Sequence, residues 1–115
     1  MLIRASVLMS LLLACKHPDP PAVAPASCVT HDPSGKVAQC FDFIGANSRK
    51  FGSQTCAAME GGPIYRDTQP CPGENRTGSC TKQSGTELES VERCYGDLPS
   101  CQRRCATAGG RFSPK

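Results

Sequence analysis

Eight cysteines between residues 28 and 105 limit what this chain can fold into more than any other feature. Segment 28–115 contains only 12 side chains of the Val, Ile, Leu, Met or Phe type, two tyrosines and no tryptophan. A chain this small with so few apolar side chains buries too little surface to fold on that burial alone. A cysteine content of about 9% is instead typical of disulfide scaffolds in an oxidising compartment.

We therefore expect a small disulfide-rich α+β domain that is cross-linked by about four disulfides, each of which stabilises the fold by roughly 2–4 kcal/mol. Eight cysteines allow 105 pairings, so the sequence leaves their connectivity open. The predicted disulfide cysteines are Cys28, Cys40, Cys56, Cys71, Cys80, Cys94, Cys101 and Cys105.

The first 14 residues have the layout of a secretory signal peptide. Arg4 supplies a positive charge, and an apolar run over residues 5–14 follows it. This run is about ten residues long, whereas a helix that spans a bilayer needs roughly 20. The pattern therefore predicts a cleaved signal peptide over residues 1–14 rather than a transmembrane segment.

The tetrapeptide Leu12-Leu13-Ala14-Cys15 resembles the lipobox of bacterial lipoproteins. The resemblance implies that the chain is cleaved before Cys15 and that its thiol carries acyl chains such as palmitate. Two or three acyl chains anchor a protein firmly, whereas one is marginal. The chain has nine cysteines, and lipidation of Cys15 would leave an even number for disulfides. The alternative is an ordinary signal peptide, after which Cys15 joins a disulfide.

Residues 15–27 are predicted to be the lipidated cysteine and a proline-rich tether. Segment 16–27 reads KHPDPPAVAPAS, and at about 3 Å per residue in polyproline-like stretches it would reach roughly 30 Å. By the same resemblance, Lys16 in place of Asp implies an anchor in the outer rather than the inner membrane. The formal charge of +3 is too small to indicate a nucleic-acid partner or electrostatic membrane binding.

Residues 28–43 are predicted to form a β-hairpin. Asp32-Pro33-Ser34-Gly35 has proline at the second and glycine at the fourth position of a turn, and β-branched and aromatic residues flank it. A helix is expected over residues 49–59. Because Gly52 weakens its start, we expect this helix to form only from about Gln54.

The second half of the chain is predicted to repeat this plan. A strand over residues 77–83 is expected to return as a second strand over Glu87–Tyr95, and a helix that ends at Gly109-Gly110 follows. Between the halves, the proline-rich and polar loop 67–76 is expected at the surface, where Cys71 would pin it.

Two similar helix ends indicate a pseudo-repeat of residues 28–65 and 80–112. Both segments read Cys-Ala, a short spacer, Gly-Gly and then an aromatic residue. The resulting hypothesis is two hairpin-plus-short-helix units within one domain, residues 28–115. The alternative is that a small disulfide protein reuses cysteine and glycine by chance. The domain also resembles small Cys-rich modules of secreted and surface proteins of soil bacteria, a likeness that implies no particular activity.

Simpler interpretations explain the residues that are candidates for chemistry. A zinc site could use Cys101 and Cys105 with His17 or His31, but structural zinc sites usually show two close ligand pairs. His31 is the only histidine in segment 28–115 that could serve a nucleophile as its base. It lies beside a predicted turn, where a solvated role is expected.

The clusters of charged residues also have simpler explanations. Glu87, Glu89 and Glu92 could act as paired carboxylates of a hydrolase, although a charged strand edge that discourages association explains them. A basic cluster could bind anionic headgroups or polysaccharide, or could simply be a solvated helix face; it comprises Arg103, Arg104, Arg111 and Lys115. We therefore predict no catalytic residue, no metal and no cofactor.

These observations favour an exported lipoprotein of the bacterial cell envelope that is not an enzyme. Its domain would act as an envelope or surface interaction module, with function on loops held rigid by disulfides. The expected partners are the membrane, through the lipid anchor, and an envelope protein or polysaccharide. The alternative is an inhibitor-like or toxin-like effector, because rigid disulfide scaffolds also serve those functions.

Overall fold

The computed structural model describes residues 24–115, so the predicted signal peptide 1–14, the lipidation site Cys15 and most of the tether 15–27 lie outside the described residues. The described part is a small α+β domain, as predicted, with one antiparallel six-stranded sheet of order β3-β1-β2-β5-β4-β6. The strands are β1 (Ala26–His31), β2 (Val37–Phe43), β3 (Ile64–Arg66), β4 (Arg76–Lys82), β5 (Ser90–Tyr95) and β6 (Arg111–Pro114), and the helices are α1 (Ala46–Ala57) and α2 (Leu98–Thr107).

Strands β1 and β2 form a hairpin whose turn is organised by Asp32. The Oδ1 atom of Asp32 accepts hydrogen bonds from the backbone N–H groups of Ser34 (2.8 Å) and Lys36 (3.0 Å), and from the hydroxyl of Ser34 (2.6 Å). Gly35 has a φ of 86°, a conformation that glycine adopts without steric cost. The turn therefore uses the residues that the sequence pattern indicates.

Both helices pack on one face of the sheet, which we call the helix face. The strand register places Cys28, Phe41, Glu92 and Cys80 in one row across β1, β2, β5 and β4. Cys28 is bonded to α1 and Cys80 to α2. Because successive residues of a strand point to opposite faces, their neighbours in sequence lie on the other face, which we call the loop face.

Four disulfides pair all eight cysteines of the described residues, which confirms the predicted number of bridges. Their Cα–Cα distances of 5.5–6.1 Å are usual for disulfides. Each half-cystine is at most 4% exposed, so the bridges also fill much of the interior. The pairs are Cys28–Cys56, Cys40–Cys71, Cys80–Cys105 and Cys94–Cys101.

Helix α1 begins at Ala46 and not near Gln54, so the predicted late start is wrong. Gly52 is buried where the helix crosses β2, and a Cβ atom at this position would lie 2.8 Å from Cδ2 of Phe43. The missing side chain lets the helix approach the sheet closely. Packing against the sheet therefore outweighs the low helix propensity of glycine.

Strand β5 begins at Ser90 and not at Glu87, because the backbone of loop 83–89 binds the start of α1. The carbonyl groups of Glu87 and Glu89 accept hydrogen bonds from backbone N–H groups within residues 44–48. N–H groups at the start of a helix lack partners within it, and α1 has no side-chain cap. The loop supplies these acceptors, which prevents it from continuing the strand.

Buried apolar side chains form small clusters around disulfides. Ala26 and Phe43 pack around Cys28 and Cys56 on the helix face, and Val29 packs with Cys40 and Cys71 on the loop face. Half-cystines therefore supply a large share of the core that aliphatic residues cannot. Within residues 24–115, neither helix is long and apolar enough to cross a bilayer.

Candidate functional site

The three glutamates considered for hydrolysis do not form a carboxylate pair on one strand face. Glu87 and Glu89 lie in loop 83–89 and not in the strand that was expected over Glu87–Tyr95. Glu87 Oε2 accepts a hydrogen bond from Nδ2 of Asn47 at 2.9 Å, and Glu89 Oε1 accepts one from the backbone N–H of Gly85 at 2.6 Å. The first contact holds the loop against α1 and the second closes the loop on itself, so both carboxylates have a structural explanation.

Glu92 is buried on the helix face, at 4% exposure. Its Oε1 accepts a hydrogen bond from Nε2 of Gln39 at 3.2 Å. Its Oε2 lies 3.5 Å from Nε of Arg104 in a salt bridge. The carboxylate therefore joins β2, β5 and α2, with a hydrogen bond on Oε1 and an ion pair, but no hydrogen bond, on Oε2.

A second buried carboxylate, Asp42, lies on the loop face at 1% exposure. Its Oδ1 accepts a hydrogen bond from the backbone N–H of Cys71 at 2.7 Å, and its Oδ2 accepts one from Nε of Arg93 at 2.8 Å. Arg93 also donates to the hydroxyl of Ser79 at 2.9 Å. Buried charges persist when they are paired and fully hydrogen-bonded, and this network satisfies that condition.

Loop 67–75 covers part of the loop face and is attached to it at several points. Besides the Cys40–Cys71 disulfide, Arg76 donates hydrogen bonds to the carbonyl groups of Cys71 (3.0 Å) and Pro72 (3.2 Å). The hydroxyl of Tyr95 donates to the carbonyl of Pro72 at 2.5 Å. Cys71 therefore pins a surface loop, as its sequence context suggests.

A groove of about 550 Å³ lies between this loop and the turn of the first hairpin. Its lining includes Lys36 and Val37 from the hairpin, Glu74 from the loop and the ring of Tyr95. Burial raises the pKa of Tyr95 above its ordinary value of 10.0, so the phenol stays protonated, and keeps its donated hydrogen bond, further into the alkaline range than a solvated tyrosine. The groove thus presents an aromatic ring, a cation and an acid, and the loop on one side of it is held in place by a disulfide and hydrogen bonds. Such a surface suits the binding of a polar chain.

His31 lies exposed at the end of β1, next to this groove's hairpin turn. Its neighbour Asp32 directs Oδ1 into the turn, where the hydrogen bond from the Ser34 side chain lowers the pKa of Asp32 below 3.8. The arrangement around His31 is that of a solvated turn residue. Within the described residues, no nucleophilic side chain forms a hydrogen bond with the imidazole of His31, and the nearby hydroxyl of Ser34 donates to Asp32 instead.

The basic residues of the C-terminal part do not act as one free cluster. Arg104 pairs with the buried Glu92, and Arg103 donates a hydrogen bond to the hydroxyl of Ser100 at 3.1 Å. Arg111 is exposed at the start of β6. The helix surface around Arg103 and Arg104 is thus partly engaged in structural contacts.

The cysteines considered as zinc ligands are both oxidised, because Cys101 pairs with Cys94 and Cys105 with Cys80. Among residues 24–115, no group of three or more His, Cys, Asp or Glu side chains is arranged to bind a metal ion.

Sequence reasoning missed the Asp42–Arg93 pair. Asp42 is flanked by Phe41 and Phe43 in a strand, and a charge amid aromatic residues was the available signal for a buried ion pair.

Comparisons with protein-family models, with curated proteins and with solved structures found no match. The function must therefore be argued from this chain's own residues.

Proposed function

We propose that this protein is an exported lipoprotein, anchored through acylated Cys15, whose disulfide-rich domain is a non-enzymatic interaction module of the bacterial envelope. One observation carries the proposal. The eight cysteines of the domain are all paired with one another, and the chain has nine. Cys15 is therefore left without a disulfide partner in its own chain, at the position where the lipobox resemblance expects a lipid.

The disulfides also support export, because such bridges persist in oxidising compartments and are rare in the cytosol. Lys16, and not Asp, occupies the position after the lipidated cysteine, which in the lipoproteins that the lipobox resembles favours an anchor in the outer rather than the inner membrane. The apolar segment before Cys15 would then be the cleaved signal peptide.

The proposed module consists of two hairpin-plus-helix units. In support, residues 26–66 and 76–114 present the same order of strand, strand, helix and strand. The sheet order places β2 and β5 at the centre and β3 and β6 at the edges. Cys28–Cys56 and Cys80–Cys105 each bond the first strand of a unit to its helix. The remaining bridges differ, since Cys71 lies in a loop and Cys101 in a helix.

The groove beside loop 67–75 is the proposed contact surface for an envelope protein or polysaccharide. A loop that is pinned by a disulfide and by side-chain hydrogen bonds loses little freedom when it binds a partner, which favours affinity. The same rigidity favours the alternative, an inhibitor-like or toxin-like effector that presents this loop to an enzyme. Resistance of the loop to proteases, together with loss of protease activity in its presence, would support the alternative.

The anchor is tested by intact mass measurement of the protein extracted from membranes, with and without alkylation. We expect an amino terminus at Cys15, a mass increment for acyl chains and no alkylated thiol. Cys15→Ser should abolish the increment. The double variant Cys94→Ala/Cys101→Ala, which removes two cysteines elsewhere, should retain it. Two alkylated thiols, or an unmodified Cys15, would refute the proposal.

A further inference from the structure

The described chain begins at one end of the sheet, which we call the tether end. Ala26 at the start of β1 pairs with Phe43 at the end of β2, and Phe43 pairs with Ser90 at the start of β5. Ser90 in turn pairs with Lys82, the last residue of β4. Loop 83–89 and the start of α1 therefore lie where the preceding part of the chain joins the domain.

Two large apolar side chains are exposed near the tether end. Leu88 in loop 83–89 is 49% exposed, and Phe51 on α1 is 46% exposed. The carbonyl of Glu87 accepts a hydrogen bond from the N–H of Asn47 at 2.9 Å, which attaches the loop to the first turn of α1. Phe51 follows Asn47 by four residues, so it lies on the same side of the helix. Leu88 and Phe51 thus lie on two neighbouring segments, loop 83–89 and α1, which this hydrogen bond joins.

Cations accompany these apolar side chains. Nζ of Lys50 lies 5.5 Å from the centroid of the Phe51 ring, so the charge and the ring form one amphipathic surface. Lys82, the last residue of β4, has its Nζ 5.4 Å from the centroid of the Phe41 ring, so it faces the helix side of the sheet. Glu87 and Glu89 flank Leu88 in loop 83–89, and one carboxylate oxygen of each accepts a hydrogen bond, from Asn47 Nδ2 and from the backbone N–H of Gly85.

The opposite end of the sheet, which holds the turn of the first hairpin, carries charges of both signs. Its acids are Asp32, Glu60, Glu74 and Asp97, and its cations include Lys36, Arg76 and Lys115. Net charge therefore does not distinguish the two ends. The exposed apolar side chains beside Lys50 are what mark the tether end.

We propose that the tether end docks on the anionic surface of a lipid bilayer, with Leu88 and Phe51 inserted among the acyl chains and Lys50 at the headgroups. The proposal rests on the lipid anchor proposed above. Eight residues, 16–23, separate Cys15 from Ala24, and they join the domain at this end. The anchor therefore brings the amphipathic surface to the bilayer first. Exposed apolar side chains beside lysine are the pattern of interfacial binding.

The chain has no tryptophan, so a single introduced tryptophan reports its own depth. The lipidated full chain carrying Leu88→Trp is reconstituted into vesicles of phosphatidylcholine and phosphatidylglycerol with brominated acyl chains, which quench indole fluorescence on contact. Lys36→Trp, in the turn at the opposite end, is the matched control. We expect at least threefold stronger quenching for Leu88→Trp. Adding Lys50→Glu should weaken that quenching in anionic vesicles and leave it unchanged in vesicles of phosphatidylcholine alone.

The outcomes separate this proposal from the anchor. Flotation with the vesicles by every variant, with equal quenching of Leu88→Trp and Lys36→Trp, would overturn the docking proposal and leave the anchor intact. Failure to float would refute the anchor, and with it any docking on lipid. Emission of Leu88→Trp that shifts with protein concentration and not with brominated lipid would assign the surface to a second copy of the chain, which also overturns the proposal.

Discussion

Removing the disulfides one at a time tests how the bridges stabilise this fold. In the chain-entropy account, stabilisation grows with the number of residues that a bridge encloses. Cys28–Cys56 has a sequence separation of 28 residues, and Cys94–Cys101 a separation of 7. For these loops the relation gives about 3.6 and about 2.4 kcal/mol at 25 °C. Replacing the first pair with alanine should therefore lower the free energy of unfolding by about 1.2 kcal/mol more than replacing the second.

The two pairs are well matched for this comparison. Each bridge joins a strand to a helix, and all four half-cystines are at most 2% exposed, so the loss of buried contacts is similar in both variants. Urea unfolding followed by far-ultraviolet circular dichroism measures the difference, which corresponds to roughly an eightfold change in the folding equilibrium constant. Equal losses, or a larger loss for Cys94→Ala/Cys101→Ala, would refute the loop-entropy reasoning.

Three further predictions concern single side chains. Gly52→Ala should lower the thermal unfolding midpoint and destabilise the fold by about 1–3 kcal/mol, because the new Cβ meets a buried ring of β2; the exposed control Ser53→Ala should not, and a gain at position 52 would contradict the packing argument. Asp42→Ala should cost about 3 kcal/mol in urea unfolding, because its two donors lose their acceptor in a buried site; a cost below about 1 kcal/mol would show that water replaces it. The hydrogen bond from Ser34 holds the pKa of Asp32 below 3.8, so the associated stability is present above pH 3.8 and is lost as pH falls through the lowered folded pKa. Ser34→Ala should return that pKa toward 3.8 in an NMR titration of the carboxyl carbon, and an unchanged pKa would rule out this cause.

Features that depend on local chemistry could be predicted from the sequence. The cysteine content predicted a domain whose interior is built on disulfides. The first turn could be predicted because Asp32 and Gly35 act within a few residues of each other. Neither inference required knowledge of which segments meet in the fold.

Features that depend on tertiary contacts could not be predicted in this way. The propensity of Gly52 indicates a late helix, but contact with Phe43 makes glycine the residue that fits. The residues of loop 83–89 resemble a strand, yet their carbonyl groups cap a helix about 40 positions earlier in the chain. The pairing of the cysteines has the same origin, because it is set by which segment lies over each strand: a helix for three of the bridges and loop 67–75 for Cys40–Cys71.

The centre of the sheet has a property that follows from the pairing of the cysteines. Within the described residues, two bridges lie within 28–71 and two within 80–105, so no disulfide crosses from β2 to β5. Between these two strands, the backbone pairing is accompanied by two side-chain contacts, Asp42 with Arg93 on the loop face and Gln39 with Glu92 on the helix face. A one-residue slip between β2 and β5 would move each carboxylate to the wrong face relative to its partner. Because an unpaired buried charge is costly, the two carboxylates fix a register that no disulfide enforces.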